Sequence, residues 1–434
     1  MKKITLCLTT ALLLGGCGTK DVQVDPQIET PKFDTPQFDK PAMDNLFTDA
    51  VATGEVIGVS ALVFDEGKVV YKGAFGQADR ERNIPVDFDT VFRIYSMTKP
   101  ITSALIMDLQ EEGLLSVDDP VSKYIPELAN MQVATAGADG ALSLADQVQP
   151  MTIKDLLLHR SGLGYGIFGA VSPVEEQYIA AKLSDRTIAL PEKMQTLSKL
   201  PLLAQPGDGY FYSYSIDVLG RIAEIVGKDR LGDLMQARFF KPLGMTETSF
   251  RVRPDQKARF ATTYFIQDDG SYVVAEDSQT SPFLEEDVYQ SGGGGLVSTL
   301  GDYAKFTHMM LNGGELNGIR ILETSTVKTM MQDHLDADDK AFLPWVKGET
   351  GLGHGYGGTV VTAPTDMLRE TMGYHMGQWG WGGAARTQFY VDPENDAFAI
   401  IMLQFFGGED PSIRYRFRSL AYAQTRDAET TYSD

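Results

Sequence analysis

A serine three residues ahead of a lysine can serve as nucleophile and base, and this spacing occurs twice, at Ser96-Met97-Thr98-Lys99 and Ser325-Thr326-Val327-Lys328. On a helix such residues lie on one face a turn apart, which brings the amine within reach of the hydroxyl. The two settings differ. The mostly apolar run Val91 to Tyr95 leads directly into Ser96, and an amphipathic helix follows with Ile101, Leu105, Ile106 and Leu109 on one side. Ser96 is thereby expected at a helix N-terminus, where unpaired N–H groups and the helix dipole favour developing negative charge. Ser325 opens a helix whose expected buried face is Val327, Met330 and Met331, and it reads as a polar first turn. The tetrapeptide by itself would equally suit Ser96 as a capping residue beside a solvated lysine.

Other chemistries find little footing. The chain has no GxSxG, HExxH, Walker or CxxC motif. GxGxxG occurs at Gly164 to Gly169 and Gly353 to Gly358, but neither follows a strand and opens a helix, and 43 glycines generate such matches readily. The five histidines never fall at i, i+4 spacing, so no helical metal pair is expected, and neither metal nor organic cofactor is called for. A net charge of −21 would repel nucleic acid and anionic lipid, so both are discounted as partners.

The N-terminus reads as an export segment. Lys2 and Lys3 precede an apolar run, Ile4 to Leu14, and Leu14-Gly15-Gly16-Cys17 is similar to a bacterial lipobox. Residues 1–16 are expected to be a signal peptide, with Cys17 lipidated; the alternative is a plain signal with an incidental cysteine. Residues 17–44 read as a tether, because Pro26, Pro31, Pro36 and Pro41 recur at five-residue intervals and favour extended backbone. The expected location is the bacterial cell envelope, with the body held by lipid in the periplasm or outside the cell.

The folded body is expected over 45–425, followed by a short tail, 426–434. Val56 to Phe64 and Val69 to Phe75 read as a hairpin turning at Asp65-Glu66-Gly67-Lys68. Thr387 to Val391 and Phe398 to Gln404 read as a second pair turning at Asp392-Pro393-Glu394-Asn395. Between them, Ile101 to Glu112, Ile153 to His159, Asp217 to Val226 and Tyr303 to Leu311 are helical in character, each followed by a glycine. The expected class is α/β of the α+β type: one antiparallel sheet built from both termini, flanked by helices, with a helical subdomain inserted over roughly 96–300.

Several further segments keep a serial order. These are Tyr95-Ser96-Met97-Thr98-Lys99-Pro100, Leu156-Leu157-Leu158-His159-Arg160-Ser161-Gly162-Leu163, Pro206-Gly207 before Tyr212-Ser213-Tyr214, and Asp217-Val218-Leu219-Gly220. Phe240-Lys241-Pro242-Leu243-Gly244-Met245, Ser291 to Ser298 and Trp381-Gly382-Gly383-Ala384 follow. Together they resemble the beta-lactamase-related serine hydrolases, a superfamily of class C beta-lactamases, DD-peptidases, D-aminopeptidases and family VIII carboxylesterases. The resemblance implies a class C beta-lactamase/DD-peptidase-like fold. It also implies Ser96 as nucleophile, Lys99 as base and Tyr212 as the second-motif tyrosine that relays a proton to the leaving group. His159 falls in a motif the family uses structurally.

The chain departs from the lactamase pattern at the third motif. Trp381-Gly382-Gly383 stands where Lys-Thr-Gly is usual, as in many family VIII esterases, and Tyr214 stands where the second motif usually carries Asn. The missing lysine would ordinarily meet a substrate carboxylate, so its loss disfavours lactams and peptide C-termini. The two glycines permit close backbone approach to a substrate, and the Ala384 N–H is expected to join that of Ser96 in an oxyanion hole. Arg386 would share a strand face with Ala384 and either anchor an anion or pair with an acid; the ion pair is preferred.

The activity implied is hydrolysis through a Ser96 acyl-enzyme, foremost of a short-chain or aromatic carboxylic ester. The rivals are an amide hydrolase of the same fold, either beta-lactamase or D-amino-acid-specific peptidase, and a penicillin-binding or sensor protein without turnover. The oligomeric state is left open. Palmitate labelling tests the anchor: the protein should take up label, and Cys17→Ser should abolish it and release a soluble body. An unlabelled wild type refutes the lipidation.

Overall fold

The computed structural model describes residues 38–136, 141–166, 172–286, 289–340, 351–408 and 412–423. Cys17, the expected signal peptide and the expected tether before residue 38 lie outside them, as do the residues from 424 onward, including the expected tail 426–434. The segment expected as tether up to residue 44 is already helical at its end: helix α1 (Lys40–Ala52) includes Pro41, in its first turn. Proline fits there because its missing N–H would have had no helical partner and its φ already suits a helix.

The main sheet is built from both ends of the chain, as expected, but is larger than the two hairpins. From the N-terminal side come β1 (Gly58–Asp65), β2 (Lys68–Asp79) and β3 (Ile84–Pro85). From the C-terminal side come β4 (Leu352–Gly355), β5 (Gly358–Val361), β6 (Trp379–Gly382), β7 (Gln388–Asp392) and β8 (Ala397–Met402). Their spatial order is β4-β5-β6-β7-β8-β1-β2-β3, with every pair antiparallel. The β1–β2 turn carries Glu66 at φ 45° and Gly67 at φ 79°. Positive φ at both central residues matches the right-handed twist of the flanking strands.

Side-chain alternation along β1 feeds two cores. Val59, Ala61 and Val63 pack with Met43 and Phe47 of α1 and with Ile413 and Phe417 of α5 (Ser412–Ala423). Leu62 and Phe64 face the other way, into the large core that holds α2 (Thr98–Glu111), α3 (Ser215–Gly227) and α4 (Leu300–Leu311). Burial on both faces explains why β1 reads as an unbroken apolar run. Between residues 96 and 300 the insertion is not purely helical. It includes two small hairpins, Gln132–Ala136 with Leu142–Asp146 and Thr263–Ile266 with Tyr272–Glu276.

Several helix ends differ from the sequence reading. The segment expected to run to His159 stops at Leu157, because His159 adopts φ 55°, in the left-handed region. Tyr214, not Ser215, occupies the N-cap of α3, and Lys228, not Gly227, takes the left-handed position at its end. Met331 falls just past the end of the helix Thr324–Met330. No helix among the described residues is long and apolar enough to cross a membrane.

One tertiary hydrogen bond ties α4 to the Ser96 turn: the buried Tyr303 hydroxyl donates to the Met97 carbonyl, 3.0 Å away. Tyr303→Phe should cost about 0.5–1.5 kcal/mol, the net worth of such a bond. Chemical denaturation reads this directly, and an unchanged midpoint would show that the bond adds nothing.

Candidate active site

Ser96 sits in a 3-10 turn, Tyr95–Met97, that runs directly into α2. Tyr95 adopts φ 42°, a left-handed backbone unusual for a bulky residue. Its ring wedges edge-on against Phe406 and Phe283, with centroids 5.5 and 6.4 Å away. Packing therefore holds a backbone conformation that turns Ser96 into the cleft.

The three residues expected to act together do meet. Lys99 Nζ lies 3.2 Å from Ser96 Oγ, and the Tyr212 hydroxyl donates to the same oxygen at 2.7 Å. Lys99 Nζ also stands 4.5 Å above the Tyr212 ring. The second Ser-x-x-Lys pair is quite different. Lys99 is 1% exposed, whereas Ser325 and Lys328 both lie open to solvent.

Lys99 has two further partners that the tetrapeptide did not disclose. Its amine donates to the Gly293 carbonyl at 2.6 Å and to the Tyr165 hydroxyl at 3.4 Å. Gly293 belongs to the glycine run before Val297–Ser298, a short strand paired with Phe92–Arg93 just ahead of Ser96. The Ile94 N–H donates to the Leu296 carbonyl, the Leu296 N–H to Thr98 Oγ1, and Thr102 Oγ1 to the Gly292 carbonyl. The segment 291–298 is thus stitched along the start of α2. Its glycines are needed where they stand: a Cβ on Gly293 would lie 2.5 Å from Asp217 Oδ2, and one on Gly292 2.7 Å from the Ile216 carbonyl oxygen.

Behind Tyr212 lies a wall of rings. His159, Tyr165 and Trp381 approach it with centroids 4.7, 5.3 and 5.7 Å away, and His354 packs edge-on against Trp381 at 5.2 Å. Burial, then the neighbouring His354 and Lys99, push the His159 pKa well below the ordinary imidazole value. Burial likewise drives His354 down to about 3. The Ser213 N–H donates to His159 Nδ1 at 3.2 Å, so Nε2 carries that ring's proton. Both rings are neutral packing elements.

The other side of the cleft is the β6–β7 hairpin. β6 ends at Gly382, and Gly383 to Thr387 form a tight turn closed by the Gly383 N–H to the Thr387 carbonyl and the Arg386 N–H to the Gly383 carbonyl. Ala384 is exposed on that turn. Arg386 does not share a strand face with Ala384, because it sits within the turn at φ 72°. Its guanidinium donates to the carbonyls of Gly407 and Gly408, a kind of partner the sequence reading had not weighed. Gly383 is required by the protein's own backbone: a Cβ there would come within 2.5 Å of the Ile94 carbonyl oxygen.

These parts enclose a cleft of about 410 Å³ reaching from Ser96 and Tyr212 past Trp381 to α5. Among the described residues, its lining includes Arg386, Arg414 and Arg418 but no Asp or Glu. Arg418 is stacked between Tyr374 and Tyr390, 3.4 and 3.7 Å from their centroids, and donates to the Gly373 carbonyl. Arg414 Nη1 lies 3.6 Å from where a Cβ on Gly382 would sit. Among the described residues, no cluster of three or more His, Cys, Asp or Glu could hold a metal.

A serine, lysine and tyrosine converging at the junction of an antiparallel sheet and a helical insertion define a class of serine hydrolases. The Beta-lactamase family model matches residues 43–423, and the chain belongs to that family. The chain is 33% identical over 360 residues to Protein Rv1367c of Mycobacterium tuberculosis, covering 81% of this chain and 86% of that protein. It is 30% identical over 364 residues to Esterase EstB of Burkholderia gladioli, covering 80% and 86%. Among solved structures, EstCE1, described as a hydrolase with promiscuous acyltransferase activity, superposes with a TM-score of 0.71 at 25% identity, covering 88% of this chain and 98% of that one. The present chain is accordingly a hydrolase.

Ser96→Ala should leave a folded protein with activity reduced by several orders of magnitude. Ser325→Ala should match wild type in both activity and melting temperature. Residual turnover above about a tenth in the Ser96 variant would remove Ser96 from the chemistry.

Proposed function

We propose that this hydrolase is a carboxylesterase that works through a Ser96 acyl-enzyme. The observation that carries the proposal is the convergence of Lys99 Nζ and the Tyr212 hydroxyl on Ser96 Oγ, at 3.2 and 2.7 Å. As Ser96 Oγ bonds to the ester carbonyl carbon, its proton passes to the Lys99 amine. The backbone N–H groups of Ser96 and Ala384 meet the oxyanion of the tetrahedral intermediate. The carbon–oxygen bond to the alcohol then breaks, Tyr212 protonates the departing alkoxide, and Lys99 returns a proton to Tyr212. Water repeats the sequence on the acyl-enzyme, releasing the acid and restoring Ser96.

The preference for esters rests on Trp381. Its ring lies beside Tyr212 on the strand where lactam-cleaving members place a lysine, and offers a flat apolar face to an acyl chain or aromatic alcohol. The esterase relative supports the same reading. We further propose that the enzyme works at the cell envelope, held by lipid on Cys17.

One observation favours a second reading. Arg414 stands close to Gly382, so a cation does border this strand, and a substrate carboxylate could be met from α5. A lactam or peptide would then be the natural substrate. A panel of p-nitrophenyl esters assayed beside nitrocefin and a D-amino-acid anilide separates the two. A charge-assisted contact of about 1.5–3 kcal/mol corresponds to roughly ten- to a hundredfold in binding. The best short-chain ester should therefore exceed nitrocefin in kcat/KM by about a hundredfold or more. Equal turnover of nitrocefin would replace the esterase reading with the lactamase one.

A further inference from the structure

Asp217 belongs to none of the three groups that converge on Ser96, yet it lies 1% exposed at the first turn of α3. Its Oδ1 accepts three hydrogen bonds from one short stretch of chain. The donors are the Tyr289 hydroxyl, Ser291 Oγ at 2.6 Å and the Gly293 N–H at 3.3 Å. The carbonyl of that same Gly293 accepts from Lys99 Nζ at 2.6 Å. The carboxylate therefore organises the turn whose carbonyl aims the amine.

We infer that Asp217 is a positioning residue for Lys99, acting through the Gly293 peptide. The inference rests on the reading of Lys99 as the base. That amine must direct a lone pair at Ser96 while its hydrogens point elsewhere, and the Gly293 carbonyl supplies the shortest of its bonds. Thr102 and Thr98 hold the flanking Gly292 and Leu296, while Asp217 bonds the Gly293 peptide itself. Four consecutive glycines, Gly292 to Gly295, offer little intrinsic stiffness, so the run depends on external contacts for its shape. Asp217 Oδ2 also leaves no room for a side chain at Gly293, which locks the fit from the other side.

The network makes a specific demand on substitutions. All three donors use Oδ1, so an asparagine with its amide oxygen in that place preserves every bond, whereas alanine removes all three. Steady-state kinetics on a short p-nitrophenyl ester, with melting temperatures alongside, tests this. Asp217→Ala should lower kcat about a hundredfold with KM within about threefold, the scale of a misplaced catalytic group. Asp217→Asn should recover activity to within about tenfold of wild type. The rate of Ser96 labelling by a fluorophosphonate should fall and recover in step, since it reads nucleophile activation without substrate binding.

Should Asp217→Ala fail to fold, the double variant Tyr289→Phe/Ser291→Ala removes two of the three donors and leaves the carboxylate. It should retain KM and lose kcat about tenfold or more. A folded Asp217→Ala or double variant with wild-type kcat overturns the inference, and so does an Asp217→Asn as impaired as the alanine variant. A wild type that neither labels nor turns over esters would instead sink the underlying reading of Ser96 and Lys99.

Discussion

The site depends on keeping one primary amine out of water and still supplying partners for its hydrogens. Lys99 is buried at the base of the cleft, where an unmet N–H would be costly. Gly293 O, Tyr165 Oη and Ser96 Oγ surround it. Ser96 lies three residues before the lysine, but Tyr165 and Gly293 come from distant parts of the chain, so three segments must be delivered to one point. The glycine run reaches it because its residues lack side chains, and Asp217 gives that run its shape.

The aromatic wall serves the same end by different means. His159 and His354 stand in that wall, and burial keeps both uncharged. A cationic imidazole there would repel an ammonium forming on Lys99. Neutral rings instead supply shape, fixing the Tyr212 phenol over Ser96 while Trp381 closes the flank. Their role is packing, although imidazoles in a hydrolase first suggest proton transfer.

Charge is distributed unevenly across the molecule. The whole chain carries a formal charge of −21, yet the described residues lining the cleft include three arginines and no carboxylate. Arg386 donates to the Gly407 and Gly408 carbonyls, and Arg418 lies between two tyrosine rings. The local lining, not the net charge, is what an ester or carboxylate entering the cleft would meet, because screening confines the rest of the field to about 8–10 Å.

Much of this was legible in the chain itself. The run into Ser96, the apolar face of α2 and the order of the later motifs singled out Ser96, Lys99 and Tyr212 among many polar residues, and the fold brings the three together. The hairpins β1–β2 and β7–β8 were readable because they are rich in apolar residues and bounded by turn residues. Strands β4 and β6 were not: Leu-Gly-His-Gly and Trp-Gly-Trp-Gly lack strand propensity, and they pair because neighbouring strands and close backbone contacts demand glycine. The same gap hid the hairpin turn that separates Arg386 from Ala384. Tyr165 and Gly293 were invisible as partners of Lys99, and Asp217 as a partner of Gly293, for a related reason. Residue type and local period report which side chains lie on one element, but hydrogen bonds between residues 66 and 194 positions apart exist only once the sheet and the helical insertion have closed on each other.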